Sequence, residues 1–166
     1  MIVSVGDCIE TFTGKMVDVF NLKQEDIDIE DIAHALSQQT RFSGHLPQFY
    51  SVAQHCVLGL EFAQDHDKLA WLLHDASEAY LMDMPTPIKK RFPEYKKLEK
   101  EIQRKIYTKF NVFHVNEAVI KEIDHFMFRW EYERLMHNDK SMRVIRSVNP
   151  MEIKFQFLNE YRKLAR

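Results

Sequence analysis

A chain of 166 residues, 45% apolar and 29% charged, has enough material for one domain with a substantial core. A formal net charge of -2 excludes an overall basic field for nucleic acid, and four glycines with five prolines exclude a linker-rich or disordered chain. Cys8 and Cys56 form neither a disulfide framework nor a zinc-finger spacing, and a reducing, cytoplasmic setting suits them. At the start of the chain, MIVSVGDCIETF carries no basic segment ahead of an apolar stretch, so no signal peptide is expected. No run approaches the roughly 18 apolar residues of a membrane span.

Residues 1–20 read as a hairpin extension. IETF precedes the Thr13-Gly14 turn and KMVDVF follows it. From Ile29 the period becomes helical, with Ile29, Ile32, Ala33 and Leu36 on one face of IEDIAHALSQ. TRFSGHLPQFY interrupts with Gly44 and Pro47 and reads as a loop. Ser51 and Gln54 make an S-x-x-Q capping box, predicting a helix from Ser51 to about Gln64. A second helix is predicted from near Asp67, with Leu69, Leu72, Leu73 and Ala76 inward, ending before Pro85 and Pro87. Residues 94 to about 110 carry Leu98, Ile102, Ile106 and Phe110 one or two turns apart, opposite a Lys/Glu-rich face. A long helix is expected over 115–137. A last one runs from about Pro150 to Lys163, with Ile153, Phe157 and Tyr161 four apart and proline where its missing N–H costs nothing. There is no internal repeat. The expectation is a single all-α domain over 1–166, helical from residue 21 onward, with about six or seven helices.

The informative stretch is LLHDASEAYLMDMPTPIKK. His74 and Asp75 stand side by side in an apolar segment, and a carboxylate taken out of water needs a partner. On a continuous helix His74 and Glu78 are four apart and Asp75 and Glu78 three apart, so all three can face one cavity. His55 lies on the preceding helix, expected to pack antiparallel beside it. In VIKEIDHFMFRW, Asp124 shares a stripe with Ile120 and Met127, which favours it over His125 as an inward group needing a cation.

Two imidazoles and two carboxylates make a mixed N/O set suited to one divalent ion per chain, such as Zn, Co, Mn, Fe or Ni. Such an ion makes a bound water more acidic, and Glu78 would sit beside that water as a general acid/base. Asp83 and Lys89 would stand at the mouth, and Arg41 would reach in from the TRFSGH loop. Arginine forks onto phosphate oxygens and lysine adds a point charge, so the set points to phosphoryl chemistry.

His55, the His74-Asp75 doublet and Asp124 resemble the H…HD…D signature of the HD-domain metal-dependent phosphohydrolases. From about Phe12 to about Arg134, RF…GH…YSVAQH…LLHDASEAYLMDMPTPIK resembles the small single-domain branch with bacterial 5'-deoxynucleotidases and phage dATP triphosphohydrolases. The resemblance implies an HD-domain helical bundle, with His55, His74, Asp75 and Asp124 as metal ligands and Glu78 as the carboxylate beside the attacking water. It implies Arg41 and Lys89 on the phosphate side and Asp83 as a second acidic residue. Phe42 stands where that branch has a tryptophan close to the substrate, and His45 is a further candidate for touching it.

The activity implied is removal of the 5'-phosphate of a (deoxy)nucleotide by a metal-activated water, most simply a 5'-deoxynucleotidase. A dNTP triphosphohydrolase releasing tripolyphosphate is the alternative, with Lys90, Arg91 or Lys15 as donors for the outer phosphates. A non-catalytic nucleotide-sensing module is the alternative of another class. The expected partner is a small-molecule nucleotide, with no nucleic-acid polymer and no membrane; the resemblance favours a homo-oligomer. Of the remaining groups, His34 reads as a satisfied helix histidine, His66, His114, His125 and His137 as surface or helix-end residues, and HFMFRWEYERLM as core. Ser51 reads as a cap, and Cys56 as a small core residue facing away from the site.

Overall fold

The computed structural model describes residues 7–136 and 145–166, so His137 lies outside the described residues. Two short antiparallel strands, β1 (Ile9–Glu10) and β2 (Met16–Val17), pair Ile9 with Val17 and Glu10 with Met16. Gly14 closes the turn at φ +82°, a backbone that favours glycine. The hairpin docks on α1 (Ile29–Gln38), where buried Asp31 accepts from the Thr13 amide at 2.7 Å and the Thr13 hydroxyl at 2.9 Å.

The other α-helices among the described residues are α2 (Val52–Gly59), α3 (Lys68–Leu72), α4 (Glu78–Leu81), α5 (Thr86–Lys89), α6 (Pro93–Lys109), α7 (Glu117–Met136) and α8 (Pro150–Leu164), joined by loops. The protein is therefore mainly α-helical with a small hairpin, as the periodicity predicts. α8 lies across α1, α2 and α3, and α7 meets α2. Ile32, Leu36, Trp71, Ile102, Ile106, Met127 and Phe157 fill the space between them. Burying each such side chain contributes about 1.5–3 kcal/mol. Ser51 caps α2 by accepting from the Gln54 amide at 3.1 Å. The Gln54 side chain does not complete the box; its Nε2 donates to the Arg146 carbonyl at 2.7 Å. No helix among the described residues is long and apolar enough to cross a membrane.

Two predicted helices are shorter than their periodicity suggests. α2 stops at Gly59, and the next three amides bond three residues back: Leu60 to Val57, Glu61 to Leu58 and Phe62 to Gly59. The predicted helix from Asp67 to Pro85 is not continuous. It breaks into α3 and α4 across residues 73–77, and with the unpredicted α5 after Pro85 this brings the α-helices among the described residues to eight. The cause is a side chain inserted into the ladder. In an α-helix the Ser77 amide would donate to the Leu73 carbonyl. Instead Gln103 of α6 takes both groups: its Oε1 accepts from Ser77 at 3.1 Å and its Nε2 donates to Leu73 at 2.7 Å.

Candidate metal centre

The break between α3 and α4 carries His74 and Asp75. Adjacent residues on an α-helix point about 100° apart. The tighter turn, with the His74 amide on the Trp71 carbonyl and the Glu78 amide on the Asp75 carbonyl, brings them to one point instead. His74 Nε2 lies 3.2 Å from Asp75 Oδ2. His55, fully buried on α2, brings its Nε2 to 3.4 Å from His74 Nε2 and 3.8 Å from Asp75 Oδ2. Asp124 of α7 brings Oδ1 to 3.5 Å from His55 Nε2 and 4.0 Å from His74 Nε2.

The chemistry of this donor set can be tested without an ion. His74 Nδ1 stands 2.6 Å from the Trp71 carbonyl, and His55 Nδ1 stands 2.5 Å from Glu131 Oε1. An oxygen acceptor in each case requires the ring to donate from Nδ1. In the neutral rings the two Nε2 lone pairs then face each other and two carboxylates, which calls for a cation between them. Ligand bonds of about 2.1 Å put neighbouring donors about 3 Å apart and opposite donors about 4.2 Å apart. The separations of 3.2–4.0 Å fall within that range. His55, His74 and Asp75 present ligand atoms mutually within 4.8 Å, and Asp124 closes the side over the imidazoles. Against the pull of burial, the Asp75 carboxylate holds the His74 imidazole well above its usual range.

A cleft of about 800 Å³ opens over this cluster, lined by Arg41, Asp75, Glu78, Asp83, Lys89 and Asp124 among others. Glu78 opens α4. Its Oε2 is buried with no hydrogen-bond partner, and its Oε1 lies 3.8 Å from Lys89 Nζ. Burial, then the negative charges of Asp75 and Asp83, push its carboxyl well above the usual range. Gln39 sets the spacing of the two acids by donating to the Glu78 carbonyl at 2.8 Å and accepting from the Asp83 amide at 3.0 Å. Burial and the charge of Asp75 also raise the Asp83 carboxyl, against the opposing pull of Arg41.

The cations are engaged before any ligand arrives. Lys89 Nζ lies 2.5 Å from Glu99 of α6. Arg41 is buried, with Nη2 at 3.2 Å from Glu131 and Nη1 at 3.7 Å from Asp75. Lys90 and Arg91 line the outer cleft, whereas Lys15 is held on the hairpin by Asp28 at 3.2 Å and does not line it. Phe42 lines the cleft and packs on Phe128 at 5.6 Å. His45 is exposed and not among the lining residues.

Other expectations need correction. His34 is not hydrogen-bonded at Nδ1; it stacks on Phe12 at 3.9 Å, so ring packing holds it. Cys56 is core, and burial pushes its thiol up to about 11, but it neighbours His74 rather than facing away. His125, expected at the surface, is exposed and also lines the cleft; His66 and His114 are exposed. In HFMFRWEYERLM, Met127, Glu131 and Leu135 are buried and half-buried Trp130 packs against the core, whereas α7 turns Phe126, Phe128 and Tyr132 outward. Glu131 is the residue that sequence reasoning missed. The signal was present: it continues the stripe of Ile120, Asp124, Met127 and Leu135 at helical spacing.

No family model matches the chain. It is similar to the uncharacterized Escherichia coli (strain K12) protein YfdR, 40% identical over 133 residues that cover 80% of this chain and 75% of the relative. It is also similar to an uncharacterized protein of Rhodobacter capsulatus, 36% identical over 119 residues, 66% of this chain and 61% of that one.

Proposed function

The chain belongs to the family of YfdR, and within that family we propose that it is an HD-type, metal-dependent phosphohydrolase acting on the 5'-phosphate of nucleotides. The observation that carries the reading is one arrangement: two imidazole Nε2 atoms and the Asp75 carboxylate converge, with Asp124 3.5 Å from His55 to one side, beside a buried glutamate with an unpartnered oxygen, under a cleft with cations in its walls. A divalent ion bound by His55, His74, Asp75 and Asp124 would supply Lewis acidity, polarising a phosphoryl oxygen and making a water more acidic. Glu78, with one carboxylate oxygen left unpartnered beside the cluster, would in its ionised form take the proton of the attacking water. Arg41 and Lys89 balance charge on the phosphoryl oxygens, and the departing ester oxygen takes up a proton either from Glu78, which received one from the water, or from an Asp83 carboxyl that starts protonated. Phe42 and Phe128 flank the entry. A cytoplasmic setting accords with Cys8 and Cys56 both being free thiols. A triphosphate substrate is the second reading, favoured by Lys90 and Arg91 along the outer cleft.

The test is a panel of dNMPs, NMPs and dNTPs with Co²⁺, Mn²⁺ or Zn²⁺, comparing the wild type with Glu78→Gln. The expected result is metal-dependent release that drops about 10²–10⁴-fold in the variant while bound metal is retained. Phosphate as product supports the monophosphate reading, and tripolyphosphate supports the second. If neither protein cleaves any nucleotide with any metal, the hydrolase reading is lost and a nucleotide sensor replaces it.

A further inference from the structure

Behind the centre, away from the cleft, lies a carboxylate that touches no substrate space. Glu131 is fully buried on α7. Its Oε1 accepts from His55 Nδ1 at 2.5 Å and from the Tyr50 hydroxyl at 2.7 Å. Its Oε2 accepts from Arg41 Nε at 3.2 Å and lies 3.2 Å from Arg41 Nη2. An ionised carboxylate offers about four lone-pair sites, and here all four face donors. A buried charge is tolerated only when satisfied in this way.

We infer that Glu131 is a positioning residue that holds two parts of the site at once. Through His55 Nδ1 it fixes the ring tautomer, so that Nε2 presents a lone pair to the centre. Through Arg41 it fixes the guanidinium, so that Nη1 points past the centre toward Asp75 at 3.7 Å. One side chain therefore aims a metal-ligand histidine and the arginine on the cleft wall in a fixed relation. What the two are aimed for rests on the proposed function; that Glu131 aims them does not. A purely structural role is the competing account, because Tyr50 belongs to a satellite core with Leu135 and Ile145 and could by itself anchor α7.

Glu131→Gln separates the two. The amide has nearly the same shape but one acceptor oxygen and an NH₂ donor. Every partner of Glu131 is a donor, so the NH₂ must face one of them. Turned toward His55, it demands a lone pair at Nδ1 and moves the ring proton to Nε2, where it blocks the centre. Turned toward Arg41, it releases the guanidinium.

Two measurements decide the matter. Long-range ¹⁵N imidazole spectra of the metal-free chain, at a pH where the rings are neutral, should place the His55 proton on Nδ1 in the wild type and populate Nε2–H in the variant. Titration with Co²⁺, followed by calorimetry, should give a Kd about 10–100-fold higher in the variant, the range typical of lost partners behind a ligand. A wild-type spectrum with the proton on Nε2 overturns the inference, and it does so even if the variant fails to fold. So does a folded variant with unchanged His55 tautomer, unchanged Co²⁺ affinity and an unchanged Arg41 Nε–H resonance, which leaves Glu131 as a structural anchor only. Wild-type protein that binds Co²⁺ but cleaves no nucleotide sinks the hydrolase reading and leaves this one standing. Wild-type protein that binds no metal removes what His55 is aimed for, and the tautomer still decides whether Glu131 aims it.

Discussion

At the floor of the cleft His55 and Trp71 are fully buried, and His74 stacks on the Trp71 indole at 4.1 Å with its Nδ1 tied to the Trp71 carbonyl. At the rim the backbone is left-handed at Phe42 and Ser43, and again at Met82, which is 61% exposed and precedes the lining residues Asp83 and Met84. The floor is set by close packing and paired charge, where a change of one atom is felt. The rim is set by strained backbone held in place by hydrogen bonds, where a side chain can go and the shape remain. The floor therefore fixes which chemistry is available, and the rim governs what reaches it. Substitutions on the two sides should differ in size and even in sign.

The largest effect is expected at the floor's charge. Asp75→Asn keeps the shape but removes the negative charge that lies 3.2 Å from His74 Nε2 and 3.7 Å from Arg41. Loss of a ligand should exceed the roughly 10–100-fold loss of metal affinity typical of an outer partner. Calorimetric titration with Mn²⁺ or Zn²⁺ reads it. Affinity within a factor of three of wild type would remove Asp75 from the ligand set.

Next comes the packing beneath. A Cβ at Gly59 would lie 2.1 Å from Trp71 Cζ2 and 2.6 Å from Nε1, the atom that donates to the Cys56 carbonyl at 2.9 Å. Trp71 has no free side to move to, since His74 and His55 pack on it. Gly59→Ala gains helix propensity but overpacks the floor, with a net loss of about 2 kcal/mol. For a chain of this size thermal unfolding should drop by about 4–8 °C. A melting point at or above wild type would mean that the floor is looser than its geometry.

The same contrast explains what the sequence made legible. The amphipathic faces of α1, α6 and α8 follow from periodicity, because Ile32, Leu36, Ile102, Ile106, Ile153 and Phe157 answer to one rule, burial of one stripe. The residue types at the centre, two histidines and three acids, were also readable, because buried charge in an apolar run asks for a partner. How they meet was not. A continuous helix from Asp67 was the local expectation, and the break that aims His74 and Asp75 depends on Gln103, which lies 26–30 residues away in sequence. Arg41 shows the same limit: its residue type suggested a free phosphate fork, while its pairing with Glu131 spans 90 residues. Periodicity reports local burial, whereas the aim of a side chain is decided by long-range hydrogen bonds.

The smallest effect should lie at the rim and run the other way. Met82 sits at φ 99°, ψ 156°, a region that is essentially restricted to glycine and costs about 1–3 kcal/mol for other residues. Its amide donates to the Glu78 carbonyl at 2.8 Å, and its carbonyl accepts from the Tyr95 hydroxyl at 2.7 Å. The next amide, that of Asp83, donates to Gln39 at 3.0 Å. The backbone is thus held from both ends, and the exposed side chain adds little burial. Met82→Gly removes the strain and keeps every one of these bonds, while the freer unfolded chain takes back about 0.5–1 kcal/mol. The net should be a gain of about 1 kcal/mol, read as a melting point about 2–4 °C higher. Under the proposed hydrolase function, turnover should stay near wild type, because Asp83 is aimed by main-chain bonds that glycine also makes. A lower melting point would show that the Met82 side chain supports the rim, and the division between a packed floor and a strained rim would fail at the residue that defines it most sharply.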